Sequence, residues 1–218
     1  MKKILSIVLA IAMVAVMAVS AFAANSPAGW SYNGSDNKVE KPSTPTKDEK
    51  PAGPAVQKTS DGTVVITTDN GDVVLTDIDG EWFEDDVIAI VAKGLMIGYP
   101  DGKFHPQDNV TVAMVYTVLA RIAGTSIAAT SGDEWIANAV AWAKANGIAD
   151  DADPTAPATR AQMVKYLAAA AAVETDSLEW VLANDILIGN EKGELNLDSL
   201  MTRAEFATIL NRYLALNK

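Results

Sequence analysis

The chain reads MTRAEF at residues 201–206, ATRAQM at residues 158–163 and, in degraded form, VTVAMV at residues 110–115. The threonines of these stretches lie 48 and 43 residues apart, from Thr111 to Thr159 and from Thr159 to Thr202. A period near 45 residues is typical of stacked supersecondary units, none of which buries its apolar face alone. The last two-thirds of the chain is therefore predicted to be one unit written three times.

Each copy of the motif begins a helix whose apolar residues recur at i, i+3, i+4 and i+7, which is one face of an α-helix. These faces consist of Val115, Val118, Leu119 and Ile122; of Met163, Tyr166, Leu167 and Ala170; and of Phe206, Ile209, Leu210 and Tyr213. An earlier helix is predicted in each unit from Val87, Ile90 and Val91, from Val140 and Ala143, and from Leu178, Val181 and Leu182. The fold class is accordingly mainly α, with three helix-loop-helix units.

The loops inside the first and third units carry matching glycines. Gly98 and Gly102 stand opposite Gly189 and Gly193, and glycine suits a helix end or a tight turn with positive φ. The middle loop, residues 147–157, lacks this pair. We expect it to follow a different path.

The stretch LTDIDGEWFEDDVIAIVAKGLMIGYPDGKFHP, residues 75–106, followed by helix starts of the Thr-Arg-Ala-Glu type, resembles the S-layer homology (SLH) domain family. The resemblance extends over three repeats, residues 75–124, 127–172 and 173–218. It implies a pseudo-threefold helical bundle whose inter-repeat grooves bind anionic, often pyruvylated, secondary cell-wall polysaccharide. Modified peptidoglycan is an alternative polymer within the family, and other envelope proteins are further candidate partners.

The segment that precedes the repeats predicts export. Residues 1–23 combine a basic start, an apolar run and the cleavage pattern Ala21-Phe22-Ala23, which is typical of a secretory signal peptide. A membrane anchor is the alternative, but the apolar run is short for a stable span. The chain is thus expected to be secreted to the cell wall and surface layer, with no membrane span after signal cleavage.

Two further segments lie between the signal and the repeats. Residues 24–60 are rich in Pro, Lys, Ser and Thr, which predicts a disordered linker. Residues 61–79 are predicted to form a β-hairpin, because Asn70-Gly71 separates two β-rich runs. A lone hairpin is marginally stable, so we expect it to pack on the first repeat.

Composition excludes several functions. The chain has no cysteine, so disulfides and thiol chemistry are ruled out, and its formal net charge of -11 argues against nucleic acid as a partner. An anionic ligand must therefore be met by local positive groups.

The helix starts carry the candidate binding chemistry. Thr202 with Glu205, and Thr159 with Gln162, are predicted to form capping boxes. Arg203 and Arg160 would then occupy the first helical position, where a cation is disfavoured by about 0.3–1 kcal/mol. An anion between the guanidinium and the helix amides would offset that cost.

An alternative is that each arginine pairs with a carboxylate of a neighbouring repeat, such as Asp101 or Asp153. The first unit has Val112 at the arginine position and Met114 at the acidic position. At most two competent grooves are therefore expected.

Two aligned tryptophans, Trp82 and Trp135, are placed just before the first helices of their units. Their rings could stack on a sugar in a groove or, alternatively, anchor the core or an interface with the indole partly buried. Trp142 and Trp180, inside helices, are expected in the core. The resemblance adds Asp101 and Gly102, in the YPDGKFHP loop, to the ligand-binding candidates.

Catalysis, metals and cofactors are not predicted. His105 is the only histidine and has no nucleophile motif near it, while Asp150, Asp151 and Asp153 lack the spacing of a calcium loop. Two function classes remain, a non-catalytic wall-binding module and a structural surface-layer or envelope-tether protein that acts through self-association.

Overall fold

Six helices and one three-stranded sheet make up the part of the chain that the computed structural model describes, residues 55–127 and 133–216. The strands are β1 (Val56–Lys58), β2 (Val64–Thr68) and β3 (Gly71–Leu75). The helices are α1 (Glu84–Ala92), α2 (Val112–Ile122), α3 (Asp133–Ala145), α4 (Arg160–Ala170), α5 (Ser177–Ala183) and α6 (Arg203–Ala215). Within these residues, no helix is long and apolar enough to cross a membrane.

The second helices of the units, α2, α4 and α6, form the core as predicted. Ten of the twelve residues of their apolar faces are buried, and the other two, Ile122 and Ala170, are partly buried and pack against the core. Thr159 and Thr202 each accept a hydrogen bond from the amide of the third helical residue, whose side chain accepts one from the cap amide. Both predicted capping boxes are thus confirmed, which explains why these helices begin where they do.

The first helices of the units, α1, α3 and α5, follow the prediction less closely. Val87, Ile90 and Val91 are buried in α1, whereas Leu182 in α5 is 40% exposed. Val181 already fills the core from this seven-residue helix, and adjacent helical residues point about 100° apart. Trp142 and Trp180 are half-buried at the edge of the core rather than inside it.

The sheet is antiparallel with strand order β1-β2-β3, and the predicted hairpin is its β2-β3 pair. It packs on unit 1, as expected, because Val64, Ile66 and Leu75 are fully buried and the Thr76 amide donates to the Gly102 carbonyl at 3.0 Å.

One linker prediction is wrong at its end. β1 lies inside residues 24–60 and pairs with β2, because main-chain hydrogen bonds hold it there without an alternating apolar pattern. The remainder of the predicted linker up to residue 54, and the predicted signal peptide, lie outside the described residues.

The helices pack between units in a cyclic order. The first helix of each unit lies against the second helix of another unit: α3 against α2, α5 against α4, and α1 against α6. The last pairing joins unit 3 to unit 1. At that junction the Asn211 side chain donates to Asp86 at 2.8 Å.

Backbone hydrogen bonds also close a ring at the helix starts. The Val110 amide donates to Met201, the Met201 amide to Ala158, and the Ala158 amide to Val110, at 2.8–3.0 Å. We call these three bonds the central ring.

The loop of one unit completes the helix start of another. The first two amides of α2 donate to the carbonyls of Ala156 and Pro154. Those of α4 donate to Ser199 and Leu197, and those of α6 donate to Asp108 and Pro106. The initial amides of a helix have no partner inside it, so these contacts satisfy groups that would otherwise be orphaned. Each helix start is therefore built against a loop from the next unit.

Candidate functional site: two clefts between units

Two clefts of similar size lie at two of the junctions between units. The Arg160 cleft, of about 310 Å³, is lined by Arg160, Glu205, Arg212, Ile188 and Trp82, among others. The Arg203 cleft, of about 340 Å³, is lined by Arg203, Met114, Arg121, Ile97 and Trp135, among others. Volumes of about 300–1,000 Å³ are usual for small-ligand sites. Each cleft combines side chains from all three units.

Arg160 is fixed by three hydrogen bonds to unit 3. Its Nε donates to the Leu195 carbonyl at 2.9 Å and its Nη2 to the Ile188 carbonyl at 3.4 Å. Its Nη1 donates to Glu205 Oε1 at 3.0 Å, which is a salt bridge. Since the residue is only 8% exposed, this carboxylate compensates a largely buried positive charge.

Arg203 occupies the corresponding place in the other cleft, against unit 1. Its Nε donates to the Phe104 carbonyl and its Nη2 to the Ile97 carbonyl, both at 2.8 Å. The guanidinium carbon lies 4.4 Å from the centre of the Phe104 ring and 4.9 Å from that of Tyr99. These cation–π contacts favour the charged form and hold the guanidinium plane in place.

No carboxylate of the described residues contacts Arg203 and neutralises its positive charge. Among the described residues Nη1 has no hydrogen-bond partner, and Arg203 belongs to none of the salt bridges. Burial lowers the pKa of Arg203, while Tyr99 and the more distant Asp108 and Asp77 act in the opposite direction. A cation that is 6% exposed and unpaired is costly unless an anion approaches it.

The third residue of a second helix accounts for this difference. Glu205 uses Oε2 to accept the Thr202 amide at 2.9 Å, which leaves Oε1 for Arg160 of the neighbouring unit. Met114 occupies the same position in α2, where it lines the Arg203 cleft without supplying a carboxylate. The predicted alternative was that each arginine pairs with a carboxylate of a neighbouring repeat, such as Asp101 or Asp153. Arg160 does pair with such a carboxylate, but its partner is Glu205. For Arg203 the alternative is wrong among the described residues.

Each cleft contains a second arginine that the sequence analysis missed. Arg121 and Arg212 lie ten residues after the helix caps Thr111 and Thr202. Arg121 Nη1 donates to the Leu95 carbonyl at 2.9 Å, and burial lowers its pKa. The alignment of the caps contained this signal: the residue ten positions after the cap is an arginine in units 1 and 3, whereas it is Ala169 in unit 2.

The two aligned tryptophans line different clefts. Trp82 precedes α1, as predicted, and is 66% exposed in the Arg160 cleft, so the core-anchor alternative is wrong for this residue. Trp135 lines the Arg203 cleft and is half-buried. Its predicted place before the first helix is wrong, because it is the third residue of α3. Both indoles offer an aromatic face to a cleft.

Four other predicted ligand-binding residues hold the fold and do not line these clefts. The Thr159 and Thr202 hydroxyls are engaged in helix capping. Asp101 accepts hydrogen bonds from the Lys103 amide and from His105 Nε2 at 2.7 Å. Gly102 has φ of +76° in a tight turn and accepts the Thr76 amide.

The clefts depend on close backbone approaches in their loops. A Cβ at Gly98 would lie 2.7 Å from Leu75 Cδ2, and one at Gly189 would lie 2.7 Å from the Gly193 carbonyl carbon. At Gly189 the obstacle is backbone, so no side chain fits there, whereas at Gly98 it is the end of the Leu75 side chain, followed by the Lys103 carbonyl oxygen at 3.1 Å. The two glycines therefore set the position of the carbonyls at Ile97 and Ile188 that receive the arginines.

The third junction between units is built differently. Val112, at the arginine position, is fully buried. Asp150 of the middle loop accepts hydrogen bonds from Lys165 at 2.9 Å and from the Tyr166 hydroxyl at 2.8 Å. Burial alone would raise the pKa of Asp150, but these bonds outweigh it and lower the pKa below its ordinary value. The helix start at this junction therefore carries Val112 where the other two carry a guanidinium.

Metal binding has no support in the part of the chain that the structure describes, where no group of three or more suitable side chains is brought together.

Comparison with known families gives one match. Residues 75–111 match the family model of the S-layer homology domain, from the end of β3 to the cap of α2. That family is a non-catalytic module that anchors proteins to the cell wall. No curated protein matches the chain.

Proposed function

We propose that this chain is a secreted, non-catalytic cell-surface anchor that binds an anionic, pyruvylated secondary cell-wall polysaccharide in its inter-unit clefts. The observation that carries the proposal is the Arg203 cleft, which is lined by Trp135 and by a buried guanidinium that is unpaired among the described residues. A guanidinium is suited to carboxylate oxygens, and an aromatic face is suited to the apolar face of a sugar ring.

The architecture that we propose for this function is a pseudo-threefold bundle of three SLH repeats. The family match covers the first of them. Two observations support the other two: the helices pair between units in a cyclic order, and the central ring joins the three helix starts. In a closed arrangement every junction between units is a potential ligand groove.

The charge of the chain is consistent with a local rather than a global attraction. The formal net charge of -11 repels an anionic polymer at long range. Within the Arg203 cleft, by contrast, Arg203 and Arg121 are the charged lining residues among those described. We therefore expect binding to weaken with salt only modestly, because the attracting charges are largely buried.

The test is retention of the full chain on purified wall polysaccharide, before and after chemical removal of the acidic substituent. We expect retention on the intact polymer and at least about tenfold weaker binding to the neutral one, as a charge-assisted hydrogen bond implies. The variants Arg160→Ala with Arg203→Ala, and Trp82→Ala with Trp135→Ala, should each reduce retention.

The matched control is Lys93→Ala with Lys144→Ala, which removes two exposed positive charges outside the clefts, one at the C-cap of α1 and one in α3. Melting curves establish that each variant is folded. Binding that ignores both the acidic substituent and the tryptophans would refute the proposal. Concentration-dependent self-association without retention on the polymer would instead support the surface-layer alternative.

A further inference from the structure

The two clefts hold equivalent arginines in different electrostatic surroundings. Arg160 and Arg203 make the same two bonds through Nε and Nη2 to the facing loop. The Arg160 cleft is lined by two arginines and two glutamates, Glu194 and Glu205. The described lining of the Arg203 cleft has two arginines and neither aspartate nor glutamate.

We propose that the clefts divide the polymer between them: the Arg203 cleft takes the carboxylate of its acidic substituent, and the Arg160 cleft takes an uncharged sugar. This inference rests on the proposed function and adds which residue decides the specificity of each cleft. The deciding position is the third residue of the second helix, Met114 in one cleft and Glu205 in the other.

Glu205 marks where a ligand carboxylate belongs. Its Oε1 lies 3.0 Å from Arg160 Nη1, at the one guanidinium nitrogen that the facing loop does not bind. In the Arg203 cleft the same nitrogen has no partner among the described residues. A carboxylate from the ligand can therefore form at Arg203 the ion pair that the protein forms internally at Arg160.

The surroundings of Arg203 also favour an anion that carries an apolar group. Met114, Ile97, Val118 and Ile127 line the cleft beside the guanidinium. Methionine is flexible and adapts to the shape of what it contacts. A carboxylate attached to a methyl-bearing carbon, as in a pyruvate ketal, matches this combination of charge and apolar surface.

Glu205 opposes the approach of a ligand carboxylate to Arg160. A second carboxylate at Arg160 would stand beside that of Glu205, and like charges at such range repel strongly. The cleft keeps Trp82, which is 66% exposed, and the exposed Ile188. These surfaces suit the apolar face of a neutral sugar.

The experiment exchanges the two specificities in the full chain. The probes are the methyl glycoside of a hexosamine bearing a pyruvate ketal, and the methyl ester of the same compound, which keeps its shape and loses its charge. Calorimetric titration of the unchanged protein should give one site that prefers the acid over the ester by about tenfold or more. Met114→Glu should abolish that preference, and Glu205→Gln should create a second acid-binding site.

The chain supplies matched controls for both variants. Glu205→Gln keeps the capping box, because Gln162 forms the same box in unit 2 with the Thr159 amide at 2.9 Å. Gln162→Glu adds the same charge at the same helical position as Met114→Glu, but in the unit whose junction has Val112 in place of an arginine. It should leave binding of the acid unchanged.

The outcomes separate the two proposals. If the unchanged chain is not retained on wall polysaccharide, the proposed function fails. If it is retained and Met114→Glu still binds the acid as before, or Glu205→Gln gains no second site, only the division between the clefts is overturned. Two equal acid sites in the unchanged chain would overturn it as well.

Discussion

At the scale of single residues, the charge at each junction between units is set by the first residue of one second helix and the third residue of the next. Arg160 meets Glu205 and is neutralised, whereas Arg203 shares its cleft with Met114 and keeps its charge unpaired among the described residues. The third junction has the fully buried Val112 in this role. The same repeated unit therefore gives three junctions with different electrostatic environments.

Asp150 makes the stability of the domain depend on pH. Its pKa is lower in the folded state than its ordinary value, so it stabilises the fold above a pH of about 4 and loses that contribution as the pH falls through the folded-state pKa. Tyr166→Phe removes one of the donors responsible. We expect it to lower the free energy of unfolding by about 1–2 kcal/mol at pH 7 and by less at pH 3, measured by urea denaturation.

Tyr213→Phe is the control for this prediction. Burial raises the pKa of Tyr213, which has no carboxylate partner among the described side chains and is not expected to make stability depend on pH below 8. If Tyr166→Phe lowered the free energy of unfolding equally at pH 7 and pH 3, the inferred coupling between Tyr166 and Asp150 would be wrong.

Single-residue predictions from the sequence succeeded where the repeats could be aligned. Alignment of the threonines placed Arg160 and Arg203 in equivalent positions, and both line clefts. It missed the bond from Glu205 to Arg160, because the capping box explains only one oxygen of that carboxylate. The other oxygen reaches across a unit boundary, and local sequence spacing does not encode such a contact.

At the scale of elements, the caps set the beginnings of the second helices. Thr202 accepts the Glu205 amide, and Glu205 in turn accepts the Thr202 amide and hydroxyl. Thr111 accepts the Met114 amide at 3.3 Å, but Met114 returns no bond. The capping of α6 is therefore stronger than that of α2.

Removal of these caps should show the difference. Thr202→Ala should lower the free energy of unfolding by about 1 kcal/mol, and Thr111→Ala should lower it by less. Chemical denaturation of the two variants alongside the unchanged chain measures both values. A larger loss for Thr111→Ala would contradict the assigned strengths.

Element prediction was accurate where periodicity and capping agree. The faces of α2, α4 and α6 have both signals, and they form the core. α5 is a short helix with adjacent apolar residues, of which Val181 is buried and Leu182 is 40% exposed. β1 was missed because its three residues are held by main-chain pairing, which leaves no apolar alternation to detect.

At the scale of the whole molecule, closure joins unit 3 to unit 1. α6 packs on α1, and the Arg203 side chain bonds to Ile97, which is 106 residues away in the chain. A disturbance in the last helix should therefore reach the first unit. We expect the described residues to unfold together in one transition.

A pair of identical substitutions tests this cooperativity. Leu210→Asp places an unpaired charge at a fully buried position of α6 and should cost at least about 4 kcal/mol, whereas Leu182→Asp, at a 40% exposed position, should cost less than about 1 kcal/mol. Circular dichroism and tryptophan fluorescence should report coincident transitions in the folded variants. Separate transitions, or an ordinary melt for Leu210→Asp, would show that the units are independent.

The arrangement of the helices around the ring was the feature of the fold that could least be predicted from the sequence. Apolar faces showed that the units must pack, but not which helix meets which. The bonds that close the ring come from main-chain groups of Val110, Ala158 and Met201, and every residue type except proline has both of these groups. The cyclic order therefore becomes visible only in three dimensions.

The central ring also bears on how such a protein can evolve. Val112 no longer provides a guanidinium, yet its amide still donates to the Ala156 carbonyl at 3.0 Å, as the amides of Arg160 and Arg203 donate to their own loops. Because closure depends on the main chain, side chains at one junction are free to drift without opening the molecule. Duplication or loss of a whole unit, by contrast, would break the ring, so divergence can change the ligand at each junction but not the number of junctions.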